Sequence, residues 1–397
     1  MSAGMVGSAG ESGGQVIPLA VPNLSGREAN YLQECLESTF VSSVGPFVDR
    51  LEVMVAEASG AAGAVAVSSG TTGLHLALHS LGVRSGDMVA LPSLTFIASA
   101  NAVAHCGATP WFFDVDEETW TLDVQQLASV FKRDLVPGPD GSVHRPSGRR
   151  LGGIMPVHAL GHPADMDPIV ALGADFGVPV IADAAAALGA TYRGRPIGQT
   201  GATASVFSFN GNKTVTAGGG GAIVSTDEAM LQRARHLSTT ARIGPGYDHD
   251  EVGFNYRMTN LQAAVGCAQM EQLDQFVEAK RRIQAGYLER LTDLPGVQGA
   301  PEAIWARSAC WLSVLLLAGC SAASVEALRA GLRARGIDAR PFWKPMHRQA
   351  PYRECPHEPQ RVTDRIWQQI LTLPCSTGLN EDEFARVVEA VRQSAQR

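Results

Sequence analysis

Ser205-Val-Phe-Ser-Phe-Asn-Gly-Asn-Lys213-Thr-Val-Thr-Ala-Gly-Gly-Gly-Gly221 is the stretch on which the fold turns. An apolar run, Ala204–Phe209, ends in a polar turn that presents one lysine, and four consecutive glycines lead into a second run, Gly221–Ser225. A lysine just past a buried strand can reach a pocket at the strand ends, where desolvation lowers its pKa and frees the amine as a nucleophile. Ser208 and Asn210 can bond a phosphate or that lysine, and the glycines let backbone N–H groups come close to an anion. Taken alone, these residues also read as a surface lysine in a glycine-rich loop, so the neighbouring sequence has to decide.

Working outward, further apolar runs occur at Ala64–Val67, Val89–Pro92, Pro110–Val115, Ile154–Val157 and Val178–Ala182. Amphipathic stretches such as Thr72–Leu81 and Met166–Phe176 lie between them. This alternation predicts an α/β fold with a mostly parallel seven-stranded sheet and helices on both faces. Ligands in such folds sit at the carboxyl ends of the strands. The segment Arg133–Arg150 reads as an exposed polar loop, and Leu261–Leu291 as one long helix or two abutting ones. Beyond about Val297 the stretches Ala309–Leu317, Ser324–Arg335 and Thr363–Leu371 predict a smaller α+β domain. The expected division is a disordered tail over 1–16, a large domain over 17–268 and a C-terminal domain over 269–397.

Two more pieces carry chemistry. In Val178-Pro-Val-Ile-Ala-Asp183-Ala-Ala-Ala-Ala-Leu-Gly-Ala190 an apolar strand ends in a single carboxylate among small residues. A carboxylate there must find a partner or become neutral; a protonated pyridine nitrogen is such a partner, and an N-cap ahead of a helix at 184–188 is the ordinary alternative. In Val67-Ser-Ser-Gly70-Thr71-Thr72 a strand meets a helix whose N-terminus offers unpaired N–H groups to an anion. Lysine, carboxylate and phosphate cradle together form the complement of a pyridoxal 5'-phosphate (PLP) site. His75 and His79 lack the glutamate of a zinc-binding HExxH pattern and read as packing, so no metal is expected. His158 and His162 lie in a Gly/Pro loop, which favours a surface role and leaves a substrate role open, and Trp343, Lys344 and His347 read as a pocket rim.

Composition narrows the alternatives. The chain has 397 residues, a net charge of −7 and 45% hydrophobic residues, so a general nucleic-acid binder is not expected. Seven cysteines without a CxxC pair point to reduced thiols and a cytoplasmic location. No apolar run approaches the roughly 20 residues of a membrane span.

From about Ile17 to Val391 the chain resembles the DegT-like sugar aminotransferases, which have the fold-type-I PLP architecture. The matching stretches include Pro92-Ser-Leu-Thr-Phe-Ile-Ala98, Pro156-Val-His-Ala-Leu-Gly-His162, Gly253-Phe-Asn-Tyr-Arg-Met-Thr-Asn260 and Arg340-Pro-Phe-Trp-Lys-Pro-Met-His347. Phe209-Asn-Gly-Asn-Lys213 and Phe40-Val-Ser-Ser-Val-Gly45 are similar to the subgroup that makes 4-amino sugars for bacillosamine and legionaminic acid. The resemblance implies Lys213 as the Schiff-base lysine and Asp183 as the pyridinium partner. It implies Gly70, Thr71 and Ser208 on the cofactor phosphate, and Phe96 against the ring. It further implies a homodimer in which Asn255 reaches the neighbour's phosphate. The implied substrates are UDP-linked 4-keto-6-deoxy-N-acetylglucosamine and L-glutamate, with Arg340, Lys344 and His347 meeting the pyrophosphate. Alternatives are an aminotransferase for a 3-keto sugar or cyclitol, and a non-catalytic amino-sugar-binding protein; a related dehydratase would carry histidine in place of Lys213. Ala182 and Ala186 depart from the family pattern, which has polar residues there, the second near the cofactor's phenolic oxygen.

Overall fold

The computed structural model describes residues 16–395, so the tail expected to be disordered lies outside it except for residue 16. A seven-stranded sheet forms the centre. Its spatial order is Gly63–Val67, Gly221–Ser225, Ala204–Ser208, Ile181–Asp183, Arg149–Ile154, Met88–Pro92 and Thr109–Phe113. The strand Gly221–Ser225 runs antiparallel to both its neighbours, and the other pairings are parallel. The bridges Ile154↔Val180 and Val157↔Asp183 join the two halves.

The sheet is buried on both faces, which is why its strands read as continuous apolar runs rather than as alternation. Met88–Pro92 and Gly221–Ser225 are buried at every position. Successive side chains enter opposite cores: Val206 packs with Leu74, Val103 and Leu237 on one face, whereas Phe207 packs with Tyr31, Leu51 and Cys267 on the other. Period-two alternation therefore survives as a choice between two apolar layers. The 261–291 pattern resolves into two abutting helices, Asn260–Met270 and Leu273–Leu291.

A second core gathers Tyr287, Leu315, Leu371 and Val387 around the antiparallel strands Val297–Gly299, Ser313–Leu317 and Ile370–Leu373. Ile17 belongs to this core: its N–H donates to the Gly336 carbonyl at 2.8 Å, so the chain's first described residues pack beside its last third.

Three local expectations need correction. Residues 133–150 form a hairpin, Leu135–Gly138 with Gly141–His144, that pairs onto Arg149–Ile154. Leu135 and His144 are buried, and the Ser142 hydroxyl donates to the Phe176 carbonyl at 2.6 Å. Polar composition hid two short strands flanking a Gly/Pro/Asp turn. The 363–371 stretch splits into a helix, Arg361–Ile366, and a strand, Ile370–Leu373. The 309–317 strand begins only at Ser313, because Cys310 holds a positive φ of 47° that breaks extension.

One buried carboxylate ties layers together. Glu52, on the helix Pro46–Ser59, accepts from the Ala66 N–H at 2.8 Å, from Arg257 at 2.7 Å and from Arg235 at 2.7 Å. The Arg257 side chain is only 10% exposed. Removing one partner of such a cluster strands the other charge, which costs about 3–5 kcal/mol. Glu52→Ala should lower the unfolding free energy by about that amount in urea denaturation, whereas Glu57→Ala, on the exposed side of the same helix, should stay within about 0.5 kcal/mol.

Candidate active site

The carboxyl ends of the parallel strands open into a cavity of about 500 Å³. It takes Gly70 and Thr71 from the N-terminus of the helix Gly70–Ser80, Asp183 and Lys213 from two neighbouring strand ends, and Trp311 and Trp343 from the C-terminal third.

Asp183 ends its strand fully enclosed, 5% exposed. The Ser99 hydroxyl donates to its Oδ2 at 2.6 Å and the Ala185 N–H to its Oδ1 at 3.1 Å. Burial pushes its carboxyl above the ordinary carboxylate range, against the opposing pull of those two donors and of the Lys213 charge. Residues 184–188 are turns, not a helix, so Asp183 is not a helix cap. The Thr95 and Ser99 hydroxyls bond each other at 2.8 Å, which aims the second toward the carboxylate. Two donors leave this carboxylate with acceptor capacity to spare, so it can hold a cationic ring nitrogen.

Lys213 follows the next strand. Burial lowers its pKa to about 8, partly offset by the charge of Asp183. Its Nζ lies 3.5 Å from the centroid of the Trp311 ring. A lysine so placed is neutral in a sizeable fraction near neutral pH, as a nucleophile or general base must be.

The anion cradle is built by close backbone approach. Ser69 caps the helix Gly70–Ser80 in a capping box with Thr72. A Cβ at Gly70 would lie 2.9 Å from the Ser208 Cβ, and one at Gly221 would lie 2.5 Å from the Phe207 carbonyl. Gly220, at φ +102°, also lines the cavity. The helix N-terminus, the Ser208 side chain and the glycine turn thus fit a phosphate. A phosphate cradle, a buried carboxylate and a lysine of lowered pKa match the three polar ends of PLP.

Of the residues singled out in the sequence, Gly70, Thr71, Phe96, Asp183, Ser208, Lys213 and Arg340 line this cavity. Three others do not. Asn255 pairs with Thr239 in an antiparallel bridge. Lys344 is exposed to solvent. His347 is held by Ser93 at 2.6 Å and Asp364 at 3.1 Å, and burial lowers its pKa. Arg340 itself pairs with Asp338 at 2.8 Å. His158 and His162 are buried rather than on the surface. The Ala164 N–H donates to His158 Nδ1 at 3.0 Å and the Ala303 N–H to His162 Nε2 at 2.9 Å; burial pushes the His158 pKa down to about 3. Their Gly/Pro surroundings read as a surface loop, but the loop packs at the carboxyl end of the central strands, where the His158 backbone N–H donates to the Asp183 carbonyl at 2.9 Å and His158 lines the cavity. His75 packs against Phe254 and Tyr256, as expected. Sequence reasoning missed Ser99, Thr95 and Trp311, which carry no local motif and reach the site from distant elements.

Comparison with known proteins agrees with this geometry. The model of the DegT/DnrJ/EryC1/StrS aminotransferase family matches residues 22–392. The chain is 38% identical to a GDP-perosamine synthase of Caulobacter vibrioides, over 95% of this chain and 98% of that one. It is 36% identical to a GDP-perosamine synthase of Escherichia coli O157:H7, again over 95% and 98%. Among solved structures, DesV of S. venezuelae in complex with a ketimine intermediate superposes with a TM-score of 0.83 and 32% identity, covering 96% of this chain and 99% of that one. The chain belongs to the DegT/DnrJ/EryC1/StrS family and is a PLP-dependent nucleotide-sugar aminotransferase.

Proposed function

We propose that the protein moves the amino group of L-glutamate onto the keto carbon of a nucleotide-linked 4-keto-6-deoxy sugar. Lys213 anchors the cofactor and Asp183 holds its ring nitrogen. The observation that carries this reading is the placement of a lysine of lowered pKa and a buried carboxylate at neighbouring strand ends of one cavity.

When bound, PLP supplies a carbonyl that condenses with amines and a cationic ring that accepts the electron pair of a breaking C–H bond. The residues of the chain do the rest. Gly70, Thr71 and Ser208 hold the phosphate end, and Phe96 covers a ring face. Asp183, positioned by Ser99 and Ala185, keeps a proton on the ring nitrogen by offering it a charged partner. Lys213 Nζ takes a proton from the donor's α-carbon and later returns one to the sugar's former carbonyl carbon. Phe342 and Trp343 give the sugar an apolar wall, stacked 4.7 Å apart, and Arg340 at the rim meets the pyrophosphate.

The subgroup-like 40–45 and 209–213 stretches favour a UDP-linked acetamido sugar. A second reading, a GDP-linked sugar, is favoured by the two relatives named for GDP-perosamine. We further infer a two-fold dimer with shared sites. Asn255 stands outside its own cavity, and Phe40, Val44 and Tyr247 are exposed, the last by 87%. Their exposure supports a role in meeting a second copy.

Lys213→Ala should abolish turnover, by at least about 10³-fold, and retain PLP through the phosphate cradle. Undiminished transamination would overturn the assignment. The pyridoxamine form, made with glutamate and isolated, should regain the PLP spectrum with UDP- or GDP-linked 4-keto sugars. Recovery with a dTDP-linked 3-keto sugar or a free cyclitol ketone alone would refute the 4-keto assignment.

Asp183→Asn should cut the rate by about two orders of magnitude or more, since an amide cannot hold the ring nitrogen protonated. The cofactor-free protein should respond in the opposite sense. The native Asp183 pKa is raised, so above the unfolded carboxylate range the native state binds more protons, and stability falls as pH rises through the native value. Asp183→Asn removes that loss, so the apo variant should melt above wild type at neutral pH and match it more closely near pH 4.

A further inference from the structure

Lys213 Nζ has no hydrogen-bond acceptor among the described residues; its contact is the face of Trp311. That indole is held from four sides. Its Nε1–H donates to the Asn212 carbonyl at 2.7 Å, and its backbone N–H to the Leu160 carbonyl at 2.9 Å. Its own carbonyl accepts from Lys280 Nζ at 3.1 Å. Its ring stacks on Trp343 at 6.1 Å with an interplanar angle of 29°. Trp311 is 5% exposed. An aromatic face so fixed and desolvated attracts a cation through its quadrupole and gives a neutral amine much less.

We propose that Trp311 is a further catalytic residue: its indole face seats the Lys213 amine when that amine is free of the cofactor, and stabilises the ammonium it becomes. This rests on the reading of Lys213 given above. In that reading the α-carbon's C–H bond breaks, an N–H bond forms on Lys213, and the electron pair passes into the cofactor's ring system. A new ammonium then stands in a cavity whose walls are mostly apolar. Asp183, the acid nearest in the site, is engaged by Ser99, Ala185 and the ring nitrogen. Trp311 supplies stabilisation without a second carboxylate, which would repel the donor's own. Because a ring face favours the charged form of an amine 3.5 Å from its centroid, it works alongside the Asp183 charge against desolvation.

The test compares Trp311→Phe and Trp311→Leu. Both lose the indole N–H bond to Asn212, and only Phe keeps an aromatic face. Brief acylation of the cofactor-free protein across pH, read by mass spectrometry of the Lys213 peptide, gives the midpoint of its ionisation. In Trp311→Leu the midpoint should fall by about one unit, a tenfold change in acid constant. In Trp311→Phe it should fall by clearly less. The exchange rate of the glutamate α-proton in the half-reaction should follow the same order. An unmoved midpoint in Leu, or equal shifts in Phe and Leu, would reduce Trp311 to packing and overturn the proposal. Should the Leu variant not fold, Trp311→Met, which also lacks an aromatic face, takes its place, and an unmoved midpoint and exchange rate there overturn the proposal. Borohydride reduction of the wild-type holoenzyme separates the two readings. A cofactor adduct on Lys213 upholds the anchor role whatever Trp311 does, whereas its absence removes both.

Discussion

A carboxylate enclosed at the end of a buried strand is the constraint around which this molecule is arranged. Asp183 is 5% exposed, and a lone carboxylate in such a place costs several kcal/mol unless it is bonded or neutral. The fold supplies two donors, Ser99 from the helix Ile97–His105 and the N–H of Ala185, and leaves the rest of its acceptor capacity facing the cavity. The site is thus incomplete by design in its electrostatics. Without a cationic partner, Asp183 sits at a raised pKa and costs stability once ionised. In the proposed reading a protonated pyridine nitrogen would offset that cost, which favours a cationic ring at this position. Stability withheld from a scaffold in this way is the usual exchange at functional sites.

The same economy governs the phosphate end. Anion binding by backbone N–H groups needs the chain to approach closely from two directions, and a single Cβ would prevent it. Gly70 meets Ser208 and Gly221 meets the Phe207 carbonyl at distances no side chain would tolerate. Gly218 and Gly220 take φ of +73° and +102°, which only glycine adopts freely. The four-glycine run is therefore a geometric requirement of folding the lysine turn back onto the helix Gly70–Ser80.

This explains which features were legible in the sequence. Six of the seven strands were readable because burial on both faces makes each a short apolar run; the seventh, Arg149–Ile154, opens on two arginines and meets the expected 154–157 run only at Ile154. Lys213, Asp183 and Gly70 are local signals. Ser99 and Thr95 are not: Ser99 sits on the helix Ile97–His105 and Thr95 in the turn before it, more than 80 residues before Asp183, and they become its partners only through the parallel crossing of strands. His158 and His162 were misplaced because Gly and Pro mark a turn but not its depth. The hairpin at 135–144 was hidden for the converse reason, since strands of four residues beside a turn carry too little apolar pattern to stand out. Arg340, Lys344 and His347 looked like one cluster in sequence, yet Asp338 holds Arg340, Ser93 and Asp364 hold His347, and Lys344 is exposed.

Trp311 shows why the C-terminal third cannot be treated as a lid added to a finished site. Its ring reaches Lys213 while its carbonyl is gripped by Lys280, a buried lysine on the helix Leu273–Leu291 that also contacts Cys375 Sγ at 3.5 Å. Lys280 has no carboxylate partner in that grip; it is satisfied by a carbonyl and a sulfur, both from the C-terminal third. A buried ammonium held by neutral acceptors tolerates little displacement, because each lost bond leaves charge unpaired in a poorly polarisable interior. The position of the indole over Lys213 is therefore fixed by the packing of the C-terminal third against the sheet, and the ionisation of the reactive lysine follows that packing. Chemistry at the strand ends depends on two regions of the chain being seated together, so the second region has a catalytic reason to exist beyond covering the pocket.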